Sequence, residues 1–480
     1  MLIRVKNRWI GDGGYKDVLI VAVPLILSFS SNTLQMFVDR VFLSRNDLNS
    51  MPAAMQAGVA SFSIGALFLG TVTYISTFVA QYSGAERFRR VGPAVWQGVY
   101  FAAIAGVLML GLIFFTRPIF DWMGHDAAVR EYEIIYFNWM CIGSFPMLVG
   151  VAFSCFYMGR GKTWTVLYVN GIANLMNVVL DYILIFGKFG FPEMGIKGAA
   201  IGTVVSSFVA MLIFAGLFFQ PRYEKKYASL SGYSFDWELT KRMVRFGLPS
   251  GIQFFLDMLA FSLFVAFVGR IDNIAMTATN MTFSINMLAF LPMIGMGHAA
   301  GIIVGRSLGK DREDIAKRAT WSAFQLCSVF MIAIAAAYFL WPDFFLSAFR
   351  SKANIENFEA VRQLSVNLLM FVAFYCLFDT GNIIFSSALK GAGDTKFVMY
   401  MSMTMHWLLF AGPAYFIVRS NLSHKIYWCW TTATIFVCVL AGGFLWRFLD
   451  GKWQHMRVIE KVAAIPPIAM SETPPAESDY

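Results

Sequence analysis

The sequence predicts an all-α integral membrane protein, with twelve transmembrane helices in two six-helix bundles related by a pseudo-twofold axis along the membrane normal. Three observations predict this: an apolar composition, apolar blocks of membrane-crossing length, and an internal repeat. Of 480 residues, 58% are hydrophobic and 14% charged, whereas soluble domains carry about 25% charged residues. The apolar residues fall in blocks long enough to match the roughly 20 residues that cross a hydrocarbon core.

In chain order the blocks run over residues 17–44, 53–80, 93–116, 131–157, 165–187, 198–220, 244–268, 276–305, 319–341, 361–388, 397–418 and 426–448. They divide the chain into a cytoplasmic N-terminal segment 1–15, a bundle 16–220, a linker 221–243, a second bundle 244–448 and a tail 449–480. The tail ends IPPIAMSETPPAESDY; such a polar, proline-rich stretch buries too little to fold and is expected to be disordered. With the N-terminus inside, 26 of the 38 Lys and Arg fall on the cytoplasmic side. That asymmetry places both termini in the cytoplasm.

The two halves repeat. Pro24 matches Pro249, Phe42 matches Phe267, Gly84 matches Gly309, Arg87 matches Arg312 and Trp96 matches Trp321, each 225 residues apart. Further on the spacing is 232, where Gly159–Thr163 (GRGKT) faces Gly391–Thr395 (GAGDT) and Tyr168 faces Tyr400. Six spans per half is an even number, so both halves enter from the same side. This is a parallel repeat, and substrate sites lie at the interface of such repeats.

Composition also excludes classes. The net charge of +9 follows from the basic cytoplasmic loops and does not mark a nucleic-acid surface. The six cysteines (Cys141, Cys155, Cys327, Cys376, Cys429, Cys438) all lie in apolar blocks without metal-ligand spacing and read as small hydrophobes. The first apolar block is long, carries Asp39 and lacks a cleavage site after a short core, so it reads as a retained helix. The glycine-rich turns do not fit a phosphate-binding loop, and no ATPase motif is present. The reading is therefore of a transporter without catalytic residues or cofactor, not an enzyme, and an ion gradient supplies any energy it uses.

Four acids sit in otherwise apolar spans: Asp39, Asp181, Asp257 and Asp379. A carboxylate at mid-bilayer costs about 2.5–3.5 kcal/mol on insertion scales, so it marks a site that binds a proton, a cation or a cationic substrate. Asp39 follows Pro24, where a missing N–H lets the first helix bend. In the fifth span Asn170, Asn174, Asn177 and Asp181 share one helix face. Amide and carboxylate oxygens suit a hard cation, and the same stripe can also glue helices together. In the seventh span Gln253 and Asp257 share a face below Pro249, and in the tenth Asn382 lies near Asp379. His298 and His406 have no partner at ligand spacing and read as hydrogen-bonded packing. The 48 Phe and 27 Met would let a cavity repack around varied ligands.

These features resemble the multidrug and toxic compound extrusion (MATE) family, NorM-like branch, over roughly residues 16–448. The resemblance rests on Val23-Pro24, the block Leu180–Thr203 (LDYILIFGKFGFPEMGIKGAAIGT), Gly247–Gln253 (GLPSGIQ) and Ala388–Thr395 (ALKGAGDT). It implies a monomeric antiporter of the bacterial cytoplasmic (inner) membrane, exchanging Na⁺ or H⁺ for amphipathic, mainly cationic, drugs by alternating access. It implies a cation or proton site at Asp39, Asn177 and Asp181 with Thr203, and acids at Asp257 and Asp379 in the second bundle, next to Gln253 and Asn382. Asp257 stands where that branch usually carries Glu. The alternatives are a lipid or polysaccharide flippase of the same superfamily, which usually has basic residues in its cavity, and a passive channel or scaffold.

Overall fold

A computed structural model describes residues 8–460, apart from residues 48, 125, 348 and 350–354. Among the described residues, twelve helices are long and apolar enough to cross a membrane. They are α1 (Tyr15–Asn46), α2 (Ser50–Gly84), α3 (Val91–Gly111), α4 (Ala127–Gly159), α5 (Thr163–Ile185) and α6 (Gly195–Phe218), then α7 (Trp237–Val268), α8 (Asn273–Gly309), α9 (Glu313–Leu340), α10 (Ile355–Ala392), α11 (Thr395–Arg419) and α12 (Lys425–Asp450). The first six form one bundle and the last six the other. The first and last described stretches, from Arg8 and up to Glu460, both pack near the turn between α8 and α9, at the end of the molecule called proximal below; the other end is distal.

Local sequence explains where helices start and bend. Asp236 caps α7 by accepting from the Leu239 N–H at 3.0 Å, and Asp272 caps α8 through the Ala275 N–H at 2.6 Å. The Asp236 cap starts α7 at Trp237, inside the stretch expected to be linker; the rest of that stretch holds a short helix, Pro221–Tyr227. At Tyr74 α2 breaks into two helical segments. Around the break Thr71, Thr73 and Ser76 turn their hydroxyls back onto the carbonyls of Leu67, Leu69 and Thr73, a competition that bends helices. α11 opens into a wider π-turn at His406–Ala411, just before Pro413, whose missing N–H leaves a carbonyl of the preceding turn unpaired.

The bundles meet through reciprocal crossings. A Cβ on Gly84 would lie 2.0 Å from the Arg306 carbonyl oxygen, and one on Gly309 would lie 2.2 Å from the Gln81 carbonyl oxygen. Gly84 and Gly309 are repeat partners at the 225-residue spacing, and so are Gln81 and Arg306. The contact is therefore the same contact made twice, as a twofold axis requires. A second pair sits deeper: Gly70 packs on Gly251, and its repeat partner Gly295 packs on Ile26. Only glycine lets the backbones approach this closely.

The first part of the tail departs from expectation, and residues 461–480 lie outside the described residues. Residues 451–460 are folded against the proximal end, with a 3₁₀ turn at Lys452–His455. Trp453 is fully buried, stacks on Phe448 with centroids 4.9 Å apart and donates to the Phe448 carbonyl at 2.8 Å. One large aromatic side chain thus gives a polar stretch enough apolar burial to fold.

Candidate functional site

In the first bundle α1 and α5 pack side by side, and the polar stripe of α5 faces α1. Its four residues divide into two roles. Asn170 donates to Ser28 at 2.9 Å, and Asn174 donates to Ser31 at 2.9 Å and to Asn32 at 2.7 Å. These pairs join the two helices. Further along the same face, Asn177 and Asp181 meet Asp39 and Thr203.

One end of the Asn177 amide lies 3.3 Å from Asp181 Oδ1 and 3.4 Å from Thr203 Oγ1. The other end contacts Gln35 and sits 3.2 Å from Asp39 Oδ1. With its nitrogen turned to Asp39, the amide donates there and accepts from the Thr203 N–H at 3.1 Å. Gln35 also donates to Asp39 Oδ2 at 2.7 Å. The Asp39 and Asp181 carboxyls lie close to one another, and two carboxylates this near call for a proton, or a cation in its place, between them. Asp181 is fully buried, and its Oδ2 has no hydrogen-bond partner. Gly202 makes room for it, since a Cβ there would lie 2.1 Å from Asp181 Oδ1.

The cluster offers carboxylate, amide and hydroxyl oxygens around one orphaned buried oxygen. That donor set fits a proton or a hard monovalent cation. The structure thus brings together Asp39, Asn177, Asp181 and Thr203 and adds Gln35, with Tyr136 of α4 within electrostatic reach of both carboxylates.

The acids of the second bundle do not meet each other. Asp257, on α7, accepts from Gln253 at 3.4 Å and lies 3.6 Å from His406 Nδ1 on α11. The same His406 nitrogen is 2.8 Å from the Ser402 carbonyl oxygen, and Gln253 donates to Ser402 Oγ at 3.3 Å. Asp379, on α10, accepts from Asn382 on its own helix at 2.9 Å. Sequence reading treated His406 as packing alone; here it belongs to the Asp257 cluster. Lys390, half-buried near the proximal end of α10, lies within electrostatic reach of Asp257 and His298. His298 packs across the bundle interface on Phe29, with ring centroids 5.6 Å apart.

Twelve membrane-crossing helices in two like bundles, with acids held inside each bundle, define a multi-pass membrane transporter. Comparison with known proteins gives the family. The MatE family model matches residues 24–183 and 249–416, and the chain belongs to the MatE family, whose members are transporters and not enzymes. It is 24% identical over 455 residues to a probable multidrug resistance protein NorM of Thermotoga maritima, covering 93% of this chain and 94% of that protein. It is 26% identical over 416 residues to the corresponding protein of Brucella suis, covering 84% and 86%. Among solved structures, the outward-facing conformation of a multidrug resistance MATE family transporter of the MOP superfamily matches with TM-score 0.84 at 21% identity, covering 93% of this chain and 97% of that one. A MOP superfamily transporter from Pyrococcus furiosus, described as having a binding pocket of reverse polarity, matches with TM-score 0.83 at 22% identity, covering 92% and 97%. These two structures share the fold.

Proposed function

We propose that this chain is a cation-coupled antiporter of a bacterial inner membrane. It exports amphipathic, mainly cationic, organic compounds by alternating access, as a monomer with both termini in the cytoplasm. The observation that carries this reading is the Asp39–Asp181 carboxyl pair with Asn177 and Thr203. Such a pair, with Asp181 fully buried and one of its oxygens orphaned, serves one small positive charge at a time. Inward flow of Na⁺ or H⁺ fills it, and its emptying belongs to the other half of the cycle.

The proximal crossings support the same reading. They seal the end assigned to the cytoplasm, as an outward-open state requires. The multidrug resistance names of the Thermotoga and Brucella relatives agree with an organic substrate. Substrate and coupling cation then oppose each other, and each weakens the other by the same factor because coupling is reciprocal.

The test is ethidium efflux from proteoliposomes under separately imposed Na⁺ and pH gradients. Export driven by one gradient and lost in Asp181→Asn is expected. Export that ignores both gradients, or equal export of a matched anionic dye, overturns the reading.

A further inference from the structure

The segment after α12 belongs to the second bundle by sequence but is bound to the first. Its anchors on its own side are the buried Trp453 and an ion pair from Arg457 to Asp311 at 3.0 Å, in the turn between α8 and α9. Beyond these the segment crosses to the other bundle. The Val458 N–H donates to Gln81 Oε1 at 2.8 Å. Gln81 is fully buried, and its nitrogen donates back to the Gly391 carbonyl at the end of α10, at 3.0 Å. One glutamine of α2 is thus held by α10 and by the segment at once.

Glu460 completes the crossing. Its carboxylate accepts from the Tyr82 hydroxyl at 2.7 Å, from Arg90 at 3.2 Å and from Arg242 at 2.6 Å. Its backbone oxygen accepts from Arg87 at 2.8 Å. Tyr82, Arg87 and Arg90 lie in the first bundle, and Arg242 is on α7 of the second. The carboxylate therefore joins both bundles to the segment after α12 at one point, beside the Gly84–Arg306 and Gly309–Gln81 crossings.

We infer that residues 452–460 are a clasp that holds the proximal ends of the two bundles shut and sets how often that face opens. The inference rests on the alternating-access reading above, in which these ends must separate once per cycle. When they do, the clasp must release one side. Its hold on the second bundle is apolar and fully buried at Trp453. Its hold on the first bundle is polar throughout, buried only at the Val458–Gln81 bond and half-exposed at Glu460 and Arg90, whose side chains are 35% and 37% accessible. Water can replace those bonds cheaply, so the break falls between Glu460 and the Tyr82, Arg87 and Arg90 group, and the segment stays with α12. Burial works to raise the Glu460 carboxyl, yet the Tyr82 hydroxyl and Arg242 hold it down to about 2. The clasp is therefore charged throughout the physiological pH range and does not open by titration.

The test reads the seam directly. Ala80, fully buried, faces Gly305 across the seam. In a protein whose native cysteines are replaced by serine, Ala80→Cys is reacted with a membrane-permeant maleimide in proteoliposomes. Reaction is measured with and without imposed Na⁺ and pH gradients. Glu460→Ala and Tyr82→Phe should each raise the labelling rate, by on the order of fivefold to tenfold for Glu460→Ala and less for Tyr82→Phe. A chain ending at Glu460 should label like the full-length protein. Tyr82→Phe keeps its buried ring, and a melting curve on each variant excludes unfolding as the cause of labelling. If gradients expose the introduced thiol in the Ala80→Cys parent and every clasp variant labels at the parent rate, the clasp is overturned while alternating access stands. If that thiol never reacts in any protein under any gradient, alternating access at this seam fails and the clasp with it.

Discussion

In the first bundle, α1 and α5 carry Asp39 and Asp181 to one point; in the second, their repeat partners α7 and α11 carry a single acid and a histidine to a different depth. The repeat spacings make the comparison residue by residue. At 225 and 232, Asn32 corresponds to Asp257 and Asn174 to His406. The Asn174–Asn32 hydrogen bond that joins helices in one bundle is thus replaced by the Asp257–His406 pair in the other. The Asn170–Ser28 bond likewise corresponds to the contact between Ser402 and Gln253. Asp39 corresponds to Phe264, which stacks on Phe410 with centroids 4.6 Å apart. Asp181 corresponds to Pro413, so neither acid of the first pair has an acidic counterpart. The charged centres are offset by seven residues of helix, about 10 Å along the axis. Shared topology fixes which helices meet, and the side chains decide at what depth a charge is held.

The sharpest way to break this comparison is to neutralise the acids singly and in pairs. Asp39→Asn and Asp181→Asn should each abolish gradient-driven efflux, and the double variant should be no worse than either alone, because they serve one charge together. Asp257→Asn and Asp379→Asn, which do not touch, should combine multiplicatively in efflux rate. Gradient-driven efflux retained in either single variant and lost only in the double one would show that Asp39 and Asp181 work separately. Melting temperatures should not fall in these variants, since removing a charge from the bilayer relieves an insertion cost.

Gly202→Ala should act next most strongly. The new methyl displaces the Asp181 carboxylate, and overpacking of this kind costs about 1–3 kcal/mol. The expected outcome is a lower melting temperature together with weaker cation protection against thermal unfolding. A variant with full cation protection would mean that Asp181 is not a ligand.

A milder pair tests the matched positions. His406→Gln should slow efflux several-fold by freeing Asp257. Asn174→Ala, at the same place in the other bundle, should cost roughly 0.6 kcal/mol of stability and leave efflux near the parent rate. Equal losses from both would erase the distinction between site and joint.

The smallest effect concerns a third asymmetry. The stretch after α6 packs on its own bundle, with Trp96 donating to the Ser229 carbonyl at 2.8 Å, whereas the stretch after α12 crosses over. Because the Glu460 carboxyl is held down to about 2, its contribution is present above the unfolded glutamate value of about 4.3 and is lost as pH falls from there toward 2. The difference in melting temperature between parent and Glu460→Gln should therefore be flat from about pH 8 to 5 and shrink below about 4.3. A difference that shrinks already between pH 7 and 5 would show that another group controls it.

Much of this molecule is legible in its sequence because the bilayer imposes long apolar spans. Duplication then leaves matching landmarks such as Pro24 and Pro249. The first-bundle cluster was legible for the same kind of reason: Asn177 and Asp181 are four apart, and helical periodicity puts them on one face. Periodicity does not say which neighbour that face meets, so Gln35 and Tyr136 were not visible. Nor does it show that α7 brings Asp257 beside His406. The clasp was hidden by composition: one tryptophan decides the fate of a polar stretch that otherwise reads as unstructured.

The reciprocal glycine crossings have a consequence for how this chain could change over generations. In an ancestor built from two identical half-length chains, any substitution at the Gly84 position would strike both crossings at once. Fusion of the halves into one chain frees each copy. Gln81 has become the seat of the clasp, while its twin Arg306 has become a cation next to Gly161. Two residues that once had to be the same now do different work. The asymmetry that gives a transporter a direction can accumulate one residue at a time, while the backbone contact beneath it stays symmetric.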